Sequence, residues 1–326
     1  MKISILDDYQ NTVRTLPSFA KLAGHDVTIW NDHTKDVDTL AARLKDTEAL
    51  VLIRERTPIR APLIERLPKL RLISQSSVYP HIDVDACTRR GVVLCSNLHP
   101  GEPSYATAEL AWCLIISAMR SVPQEVAALK AGRWQSTIGG ALRHRTLGIL
   151  GYGRIGAVLA RYAKAFEMRA LAFGRERSAE RARADGVAVA ASREALFEQS
   201  DVLTLHVRLT PETRGLVTAG DLARMKPTAL IVNTSRAGLI EPGALVAALR
   251  RGRPGLAAVD VYEEEPMLDP EHPLLKMSNV VCTPHLGYVE RDGYERIFGA
   301  AFDQILAFIA GKPLNVINPE ALIGSR

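Results

Sequence analysis

Arg236, Glu265 and His285 are the residues whose types and placement could do chemistry together. Arg236 closes Asn233-Thr234-Ser235-Arg236, just past an apolar strand-like run. Glu265 lies in Asp260-Val261-Tyr262-Glu263-Glu264-Glu265-Pro266, past a second run, and His285 in Thr283-Pro284-His285-Leu286-Gly287, past a third. Reducing a 2-keto acid to a 2-hydroxy acid needs a hydride donor near the carbonyl carbon, a cation on the carboxylate and carbonyl, and a proton donor for the developing alkoxide. The planar fork of Arg236 suits the carboxylate. The imidazole of His285 suits proton transfer. Glu265 would hydrogen-bond the far ring nitrogen of His285 and keep the ring protonated for reduction. Taken singly, each has a plainer reading: a surface arginine, a turn histidine, a solvated acidic run. Their shared position just past strand ends favours the chemical one, because open α/β sheets bind ligands there.

The hydride donor has its own motif. Residues 146–156 read TLGILGYGRIG. The apolar Thr146–Leu150 has strand character and leads into Gly151-Tyr152-Gly153-Arg154-Ile155-Gly156. Helical spacing follows at Ile155, Val158, Leu159, Tyr162, Ala163 and Phe166. Strand, glycine turn and helix start make a pyrophosphate site. Gly151 allows the turn, Gly153 a close backbone approach, and Gly156 tight helix–strand packing.

The motif sits near the middle of 326 residues, so the preceding stretch must form a domain of its own. A hydrophobic content of 47% describes an ordinary soluble protein, and no apolar run reaches membrane-span length; Leu110–Ala118 is too short. The start MKISILDDYQ does not read as a signal peptide. The four cysteines (Cys87, Cys95, Cys113, Cys282) are scattered without a CxxC. They read as buried reduced thiols of a cytoplasmic protein, not as a metal site. A net charge of +5 is modest, and the densest basic stretch, Arg175–Arg183, is interleaved with Glu176 and Glu180. That is a solvated helix face and not a nucleic-acid patch.

The elements that must position these groups alternate along the chain. Strand patterns fall at Lys2–Leu6, Val27–Trp30, Ala49–Ile53, Leu72–Ser74 and Val92–Cys95. Helical patterns between them fall at Phe19–Ala23, Thr39–Lys45, Ala61–Leu67 and Val84–Arg89. A Pro/Gly-rich linker, Leu98–Ser104, precedes a long helix from Tyr105 to Lys130, with Pro123 as a candidate break. Further strands follow at Arg169–Phe173, Val187–Ala190, Val202–His206, Ala229–Asn233, Ala257–Asp260 and Val280–Thr283. A final helix, Gly293 to Ala310, could carry the chain back to the first domain. The whole predicts an α/β protein of two doubly wound parallel-sheet domains. Trp134 is read as packed core in preference to a substrate contact.

Several long segments in one order resemble the D-isomer-specific 2-hydroxyacid dehydrogenase family, which includes phosphoglycerate dehydrogenases and glyoxylate/hydroxypyruvate reductases. They are TLGILGYGRIG, SDVLTLHVRLTPETRGLV, MKPTALIVNTSRAGLIEPGALVAAL, AAVDVYEEEPMLDPEHPLL and NVVCTPHLGY. The resemblance implies a Rossmann NAD(P)-binding domain (102–289) inserted in a flavodoxin-like substrate domain (1–101 and 290–326), an active site in the cleft, and a homodimer. It implies hydride transfer between NAD(P)H and a 2-keto acid or D-2-hydroxy acid, and gives Arg236, Glu265 and His285 the roles above. Asp260 would contact the nicotinamide amide, His206 would line the cofactor site, and Thr234, Ser235 and Gly287 would lie against the cofactor with Arg154 and Ile155. Glu265 stands where related formate dehydrogenases carry Gln.

Four positions depart from the family pattern. Strand Arg169–Phe173 runs into Gly174-Arg175, where NAD-preferring members place Asp; Arg175 offers a partner for a 2′-phosphate, while Glu176 is near enough to replace the acid. NAD and NADP both stay open. The substrate loop reads Gln75-Ser76-Ser77-Val78-Tyr79-Pro80-His81, with Val78 where Gly is usual, so Ser76, Ser77 and Val78 are the substrate-loop candidates. Ala237 and Arg208 replace a usual Gly and Pro. Arg54, Arg56 and Arg60 are either surface residues or a substrate-phosphate site, Arg54 foremost. A D-3-phosphoglycerate dehydrogenase and an NAD(H)-sensing corepressor-like binding protein are the alternatives. The absence of a long C-terminal extension argues against feedback by an amino acid.

Overall fold

The computed structural model describes residues 1–98 and 105–323. The linker expected at Leu98–Ser104 lies outside the described residues except for Leu98. In chain order the elements begin β1 (Lys2–Ile5), β2 (Asp26–Ile29), α1 (Val37–Leu44), β3 (Ala49–Val51), α2 (Ala61–Ile64), β4 (Leu72–Ser76), α3 (Val84–Arg89) and β5 (Val93–Asn97). They continue α4 (Tyr105–Met119), α5 (Val122–Lys130), β6 (Thr146–Leu150), α6 (Arg154–Ala165), β7 (Arg169–Phe173), α7 (Glu176–Ala184), β8 (Ala188–Val189), α8 (Arg193–Gln199) and β9 (Val202–Leu205). The last are α9 (Ala219–Arg224), β10 (Leu230–Asn233), α10 (Ala244–Arg250), β11 (Leu256–Val259), β12 (Val280–Cys282) and α11 (Arg291–Ile309). Among the described residues no helix is long and apolar enough to cross a membrane.

The chain divides into two compact units, Met1–Glu102 with Glu290–Arg326, and Pro103–Val289. The first holds a five-stranded sheet in the order β2-β1-β3-β4-β5, every pair parallel. This is the flavodoxin-like order. Its tail packs on β5. Asn318 accepts the Leu94 amide at 2.8 Å and donates to the Val92 carbonyl and the Thr88 hydroxyl, each at 3.0 Å. The sheet thus depends on residues more than 200 positions apart in sequence.

The second unit holds seven parallel strands in the order β12-β11-β10-β9-β6-β7-β8. The chain starts at β6, winds outward to β8, then returns to β9 on the other side of β6. That reversal is the switch point at which such sheets bind ligands. Every residue of β6, β9 and β10 is buried. Their apolar runs show no alternation because helices cover both faces.

The stretch Tyr105–Lys130 breaks next to Pro123, the candidate break, into two helices; Ser121 caps α5 in the left-handed region (φ 51). Three local expectations are corrected. The turn expected as a helix at Phe19–Ala23 is a 3₁₀ segment, Pro17–Leu22. Of the four cysteines expected to be buried, Cys87 and Cys95 are, whereas Cys282 is half-buried and Cys113 is exposed. Trp134 is 77% exposed, in a stretch without regular structure, and is not core.

Asn318→Ala would strand the buried Leu94 amide and Val92 carbonyl. The expected loss is about 2–4 kcal/mol for the first unit, read as an earlier urea transition with lost hydrogen-exchange protection at Leu94. An unchanged transition would show that the tail is held by other contacts.

Candidate active site

Parallel strands deliver their chain exits to one edge, and the polar groups singled out in the sequence leave from there. Leu150 of β6 leads into Gly151, which adopts φ +92; a Cβ there would stand 2.8 Å from the His206 carbonyl group. The Gly151 amide donates to the Phe173 carbonyl at 2.8 Å, pinning the turn to the end of β7. Gly153 caps α6 without a side-chain hydrogen bond, and no atom lies within 4 Å of where its Cβ would stand. Gly156, in the first turn of α6, packs against β6: a Cβ there would come within 3.0 Å of Ile149. Arg154 is exposed and Ile155 half-buried. The start of this twelve-residue helix is thus uncrowded at Gly153 and has no side-chain cap, and its first-turn amides lack intrahelical acceptors, as a pyrophosphate site requires.

Two orphaned groups mark the same edge. The Thr234 hydroxyl, after β10, and His206 Nδ1, after β9, are buried with no hydrogen-bond partner among the described residues. The His206 Nε2 lies 2.8 Å from the Thr204 hydroxyl, and burial pushes this imidazole far below its usual pKa, so it is neutral. A neutral ring and a free hydroxyl suit the uncharged parts of a dinucleotide. The residues present therefore fit a nicotinamide cofactor. Ser235 differs from its neighbour, for its hydroxyl donates to the Leu205 carbonyl at 2.8 Å and holds the exit of β10 to that of β9.

Arg236 follows. Asn233 braces its loop, donating to the Arg236 carbonyl at 2.9 Å and accepting the Ser235 amide at 3.1 Å. The half-buried guanidinium donates to the Ser235 carbonyl at 2.7 Å. Ala237 opens a 3₁₀ turn, Ala237–Leu239, which a methyl side chain tolerates. Arg208 is exposed, and its carbonyl accepts the Thr213 hydroxyl at 2.7 Å.

Glu265 and His285 are brought together. Glu265 Oε2 lies 2.5 Å from His285 Nδ1, and Oε1 accepts the Tyr262 amide at 3.1 Å. Burial works to raise the Glu265 carboxyl. The hydrogen bond and charge of His285, the Tyr262 amide and the field of Arg236 overcome it and hold the group below its usual value. Glu265 is therefore a carboxylate that accepts from Nδ1–H, and Nε2 is the nitrogen left for proton exchange. His285 itself sits at φ 53, a conformation that non-glycine residues adopt at a cost.

Asp260 imposes that conformation. It is fully buried; Oδ1 accepts the Thr283 hydroxyl at 2.6 Å and the Leu286 amide at 2.7 Å, and Oδ2 accepts the Gly287 amide at 2.9 Å. Burial pushes its carboxyl up, against the pull of those donors and of His285. Besides the cofactor contact that the resemblance implies for Asp260 and Gly287, the Asp260 carboxylate holds the His285 loop in place. Asn233, Thr283, Tyr262 and Thr107 carry no signal in the sequence for the parts they play here. Thr107 donates to the Gly287 carbonyl at 2.7 Å from 180 residues away, which no local pattern announces. Tyr288 lies edge-on to His285 at 5.6 Å, one helix-free turn further on.

Arg175 is exposed and caps α7, while Glu176 pairs with Arg183 at 3.0 Å along the same helix. In the first unit, Ser76 is buried, its hydroxyl orphaned among the described residues. The left-handed backbone of that loop falls at Ser77 (φ 93), one residue before the expected departure at Val78. It is held by the Asn97 carbonyl, which accepts the Ser77 amide at 2.8 Å, and by the Ser96 hydroxyl, which donates to the Ser77 carbonyl at 2.6 Å. Arg54 is half-buried at φ 55; Arg56 stacks on Tyr9 at 4.5 Å, and Arg60 donates to the Pro80 carbonyl at 2.9 Å.

A glycine turn at the switch point of a parallel sheet, with a carboxylate–histidine pair on the same edge, defines a nicotinamide-dependent dehydrogenase. Residues 112–287 match the model of the D-isomer specific 2-hydroxyacid dehydrogenase NAD binding domain. The chain belongs to the D-isomer specific 2-hydroxyacid dehydrogenase family, and its activity is that of an NAD(P)-dependent D-2-hydroxyacid dehydrogenase. It is 38% identical to a glyoxylate reductase of Aeropyrum pernix over 91% of both chains. It is 36% identical to a D-3-phosphoglycerate dehydrogenase of Archaeoglobus fulgidus over 82% of this chain and 51% of that one. The structure of a phosphoglycerate oxidoreductase from Vibrio cholerae superposes with a TM-score of 0.92 at 48% identity, over 95% of this chain and 99% of that one.

Glu265→Gln separates charge from shape. The unfolded chain protonates a glutamate near its ordinary 4.5, whereas the folded protein holds this one ionised to lower pH. The stability that Glu265 contributes is thus complete above 4.5 and is lost as pH falls through the depressed folded value. The expected result is a lower Tm for the variant at neutral pH, with the gap to wild type closing progressively as pH falls below 4.5. A gap independent of pH would place the effect outside this ion pair.

Proposed function

We propose that the chain reduces a small 2-keto acid to its D-2-hydroxy acid with NADPH. The observation that carries this reading is the His285–Glu265 hydrogen bond, which commits Nδ1 and frees Nε2 for the substrate oxygen. When bound, the reduced nicotinamide supplies the hydride that reaches the carbonyl carbon. Arg236 pairs with the substrate carboxylate and polarises the carbonyl. His285 gives its Nε2 proton to the oxygen as negative charge develops there, and Glu265 stabilises the ring before and after transfer. In the oxidative direction the same nitrogen accepts that proton. Gly151, Gly153, Arg154, Ile155 and Gly156 would hold the pyrophosphate, and His206 and Thr234 would line the cofactor. Ser76, Ser77, Val78 and Arg54 serve the substrate.

Gly174 and Arg175 support NADP over NAD. No carboxylate ends β7, Arg175 is exposed at the start of α7, and Glu176 is paired with Arg183 and not held at the strand end. The likeness to the Aeropyrum glyoxylate reductase over nearly its whole length supports a small substrate. The likeness to the Vibrio phosphoglycerate oxidoreductase supports a second reading, a phosphorylated substrate with Arg54 as the phosphate partner. Consumption of NADPH and NADH with glyoxylate, hydroxypyruvate, pyruvate and phosphohydroxypyruvate separates the two. His285→Ala is expected to lower kcat by about 10²–10⁴-fold; an undiminished kcat removes His285 from proton transfer. Binding of NADH without turnover of any keto acid would support a sensor instead.

The partner is a second copy of the chain. Val122, Val126 and Leu129 stand exposed on one face of α5, and the stretch beyond it exposes Trp134 and Ile138. Apolar side chains at such density mark an interface. Leu129→Glu with Ile138→Glu is expected to convert a dimer to a monomer in sedimentation equilibrium. A wild-type monomer at micromolar concentration would refute the assignment.

A further inference from the structure

Residue 174 decides what charge ends β7, and its freedom is limited by a residue four positions on. A Cβ at Gly174 would stand 2.7 Å from the Ser178 hydroxyl oxygen and 3.0 Å from Ser178 Cβ. Contacts that short force something to move. Ser178 is poorly placed to do so. Its hydroxyl accepts the Tyr152 amide at 2.7 Å, inside the glycine turn, and its own amide donates to the Arg175 carbonyl at 2.8 Å. Turning the hydroxyl away would leave the Tyr152 amide without its acceptor. A second tie backs the first: the Tyr152 hydroxyl donates to Asp185 Oδ2 at 2.9 Å, just past the far end of α7. Tyr152 is only 3% exposed, so the turn is clamped to α7 at both ends of that helix.

We propose that Ser178 is a specificity-determining residue of the cofactor site. By holding the Tyr152 amide it fills the volume a side chain at 174 would need. The end of β7 is thereby kept free of the carboxylate that would bond the ribose hydroxyls and repel a 2′-phosphate. The preference for NADP is then built into a turn–helix clamp, and Arg175 acts against a background without negative charge at 174. This rests on the reading of Arg175 as the 2′-phosphate partner.

The test compares Gly174→Asp, Ser178→Ala and the double variant in the full-length protein. Kd values for NADPH and NADH are taken from tryptophan quenching without substrate, and Tm is measured without cofactor. Gly174→Asp alone is expected to lower Tm and to weaken both cofactors by about tenfold or more. Adding Ser178→Ala is expected to restore Tm in part and to tighten NADH binding by about tenfold over the single variant. Should Gly174→Asp fail to fold, Gly174→Ala with and without Ser178→Ala gives the same comparison through Tm. If Gly174→Asp alone keeps the wild-type Tm and binds NADH as tightly as the double variant, Ser178 has no such role. Wild-type protein that binds NADH more tightly than NADPH would overturn the phosphate reading of Arg175. The comparison of the two Asp variants would still decide the part played by Ser178.

Discussion

Asp260 is a fully buried carboxylate whose two oxygens accept from Thr283, Leu286 and Gly287. A buried acid is tolerated only where donors satisfy it, and charge-assisted bonds of this kind are worth about 1.5–3 kcal/mol each. Here the donors all come from the loop after β12. Meeting the needs of Asp260 therefore dictates the path of residues 283–287. Between the bonded Thr283 and Leu286 stands His285, in a left-handed conformation that the loop closure enforces. The ring so placed meets Glu265, whose own carboxylate is steadied by the Tyr262 amide. A single desolvated charge thus sets a backbone and aims a side chain, and the ion pair follows.

The sheet supplies the second constraint. Parallel strands joined by crossovers place every strand's carboxyl end on one edge. β6, β9, β10, β11 and β12 neighbour one another, so the glycine turn, His206, Thr234, Arg236, Asp260 and the His285 loop leave one edge of the sheet. Close packing adds precision. Gly151 lies against the His206 carbonyl, and Gly156 against Ile149, so the turn has little latitude. The orphaned Thr234 hydroxyl and His206 Nδ1 are the polar surplus of an edge arranged for a ligand.

Strain gathers at the polar loops of both units. Ser77, Arg54 and His285 hold positive φ without being glycine. Ser77 and His285 lie past strand ends where hydrogen bonds to neighbouring segments over-determine the backbone. At Ser77 those bonds come from Asn97 and Ser96, the last two residues of β5. A family pattern that marks one usual glycine cannot show which residue of the loop takes up the unusual conformation here.

The fold was legible in the sequence because its signals are local and repeated. Buried parallel strands are continuous apolar runs, the glycine turn carries its own spacing, and helices keep a 3.6-residue period; these determined the class, the two sheets and the dinucleotide turn. The types of Arg236, Glu265 and His285, each past a strand, were legible for the same reason. Their surroundings were not. The bond between Glu265 and His285 spans 20 residues, that between Thr107 and Gly287 spans 180, and those from Asn318 to β5 more than 200. Burial also escaped the sequence: Trp134 and Cys113 have core-like types yet are exposed, because exposure depends on what other segments leave uncovered. Composition and period determined which elements form. Only the packed tertiary structure decided that Asp260 would serve the His285 loop, that Ser77 would carry the strain, and that Ser178 would close off position 174, since each depends on atoms brought within a few ångströms by long-range closure.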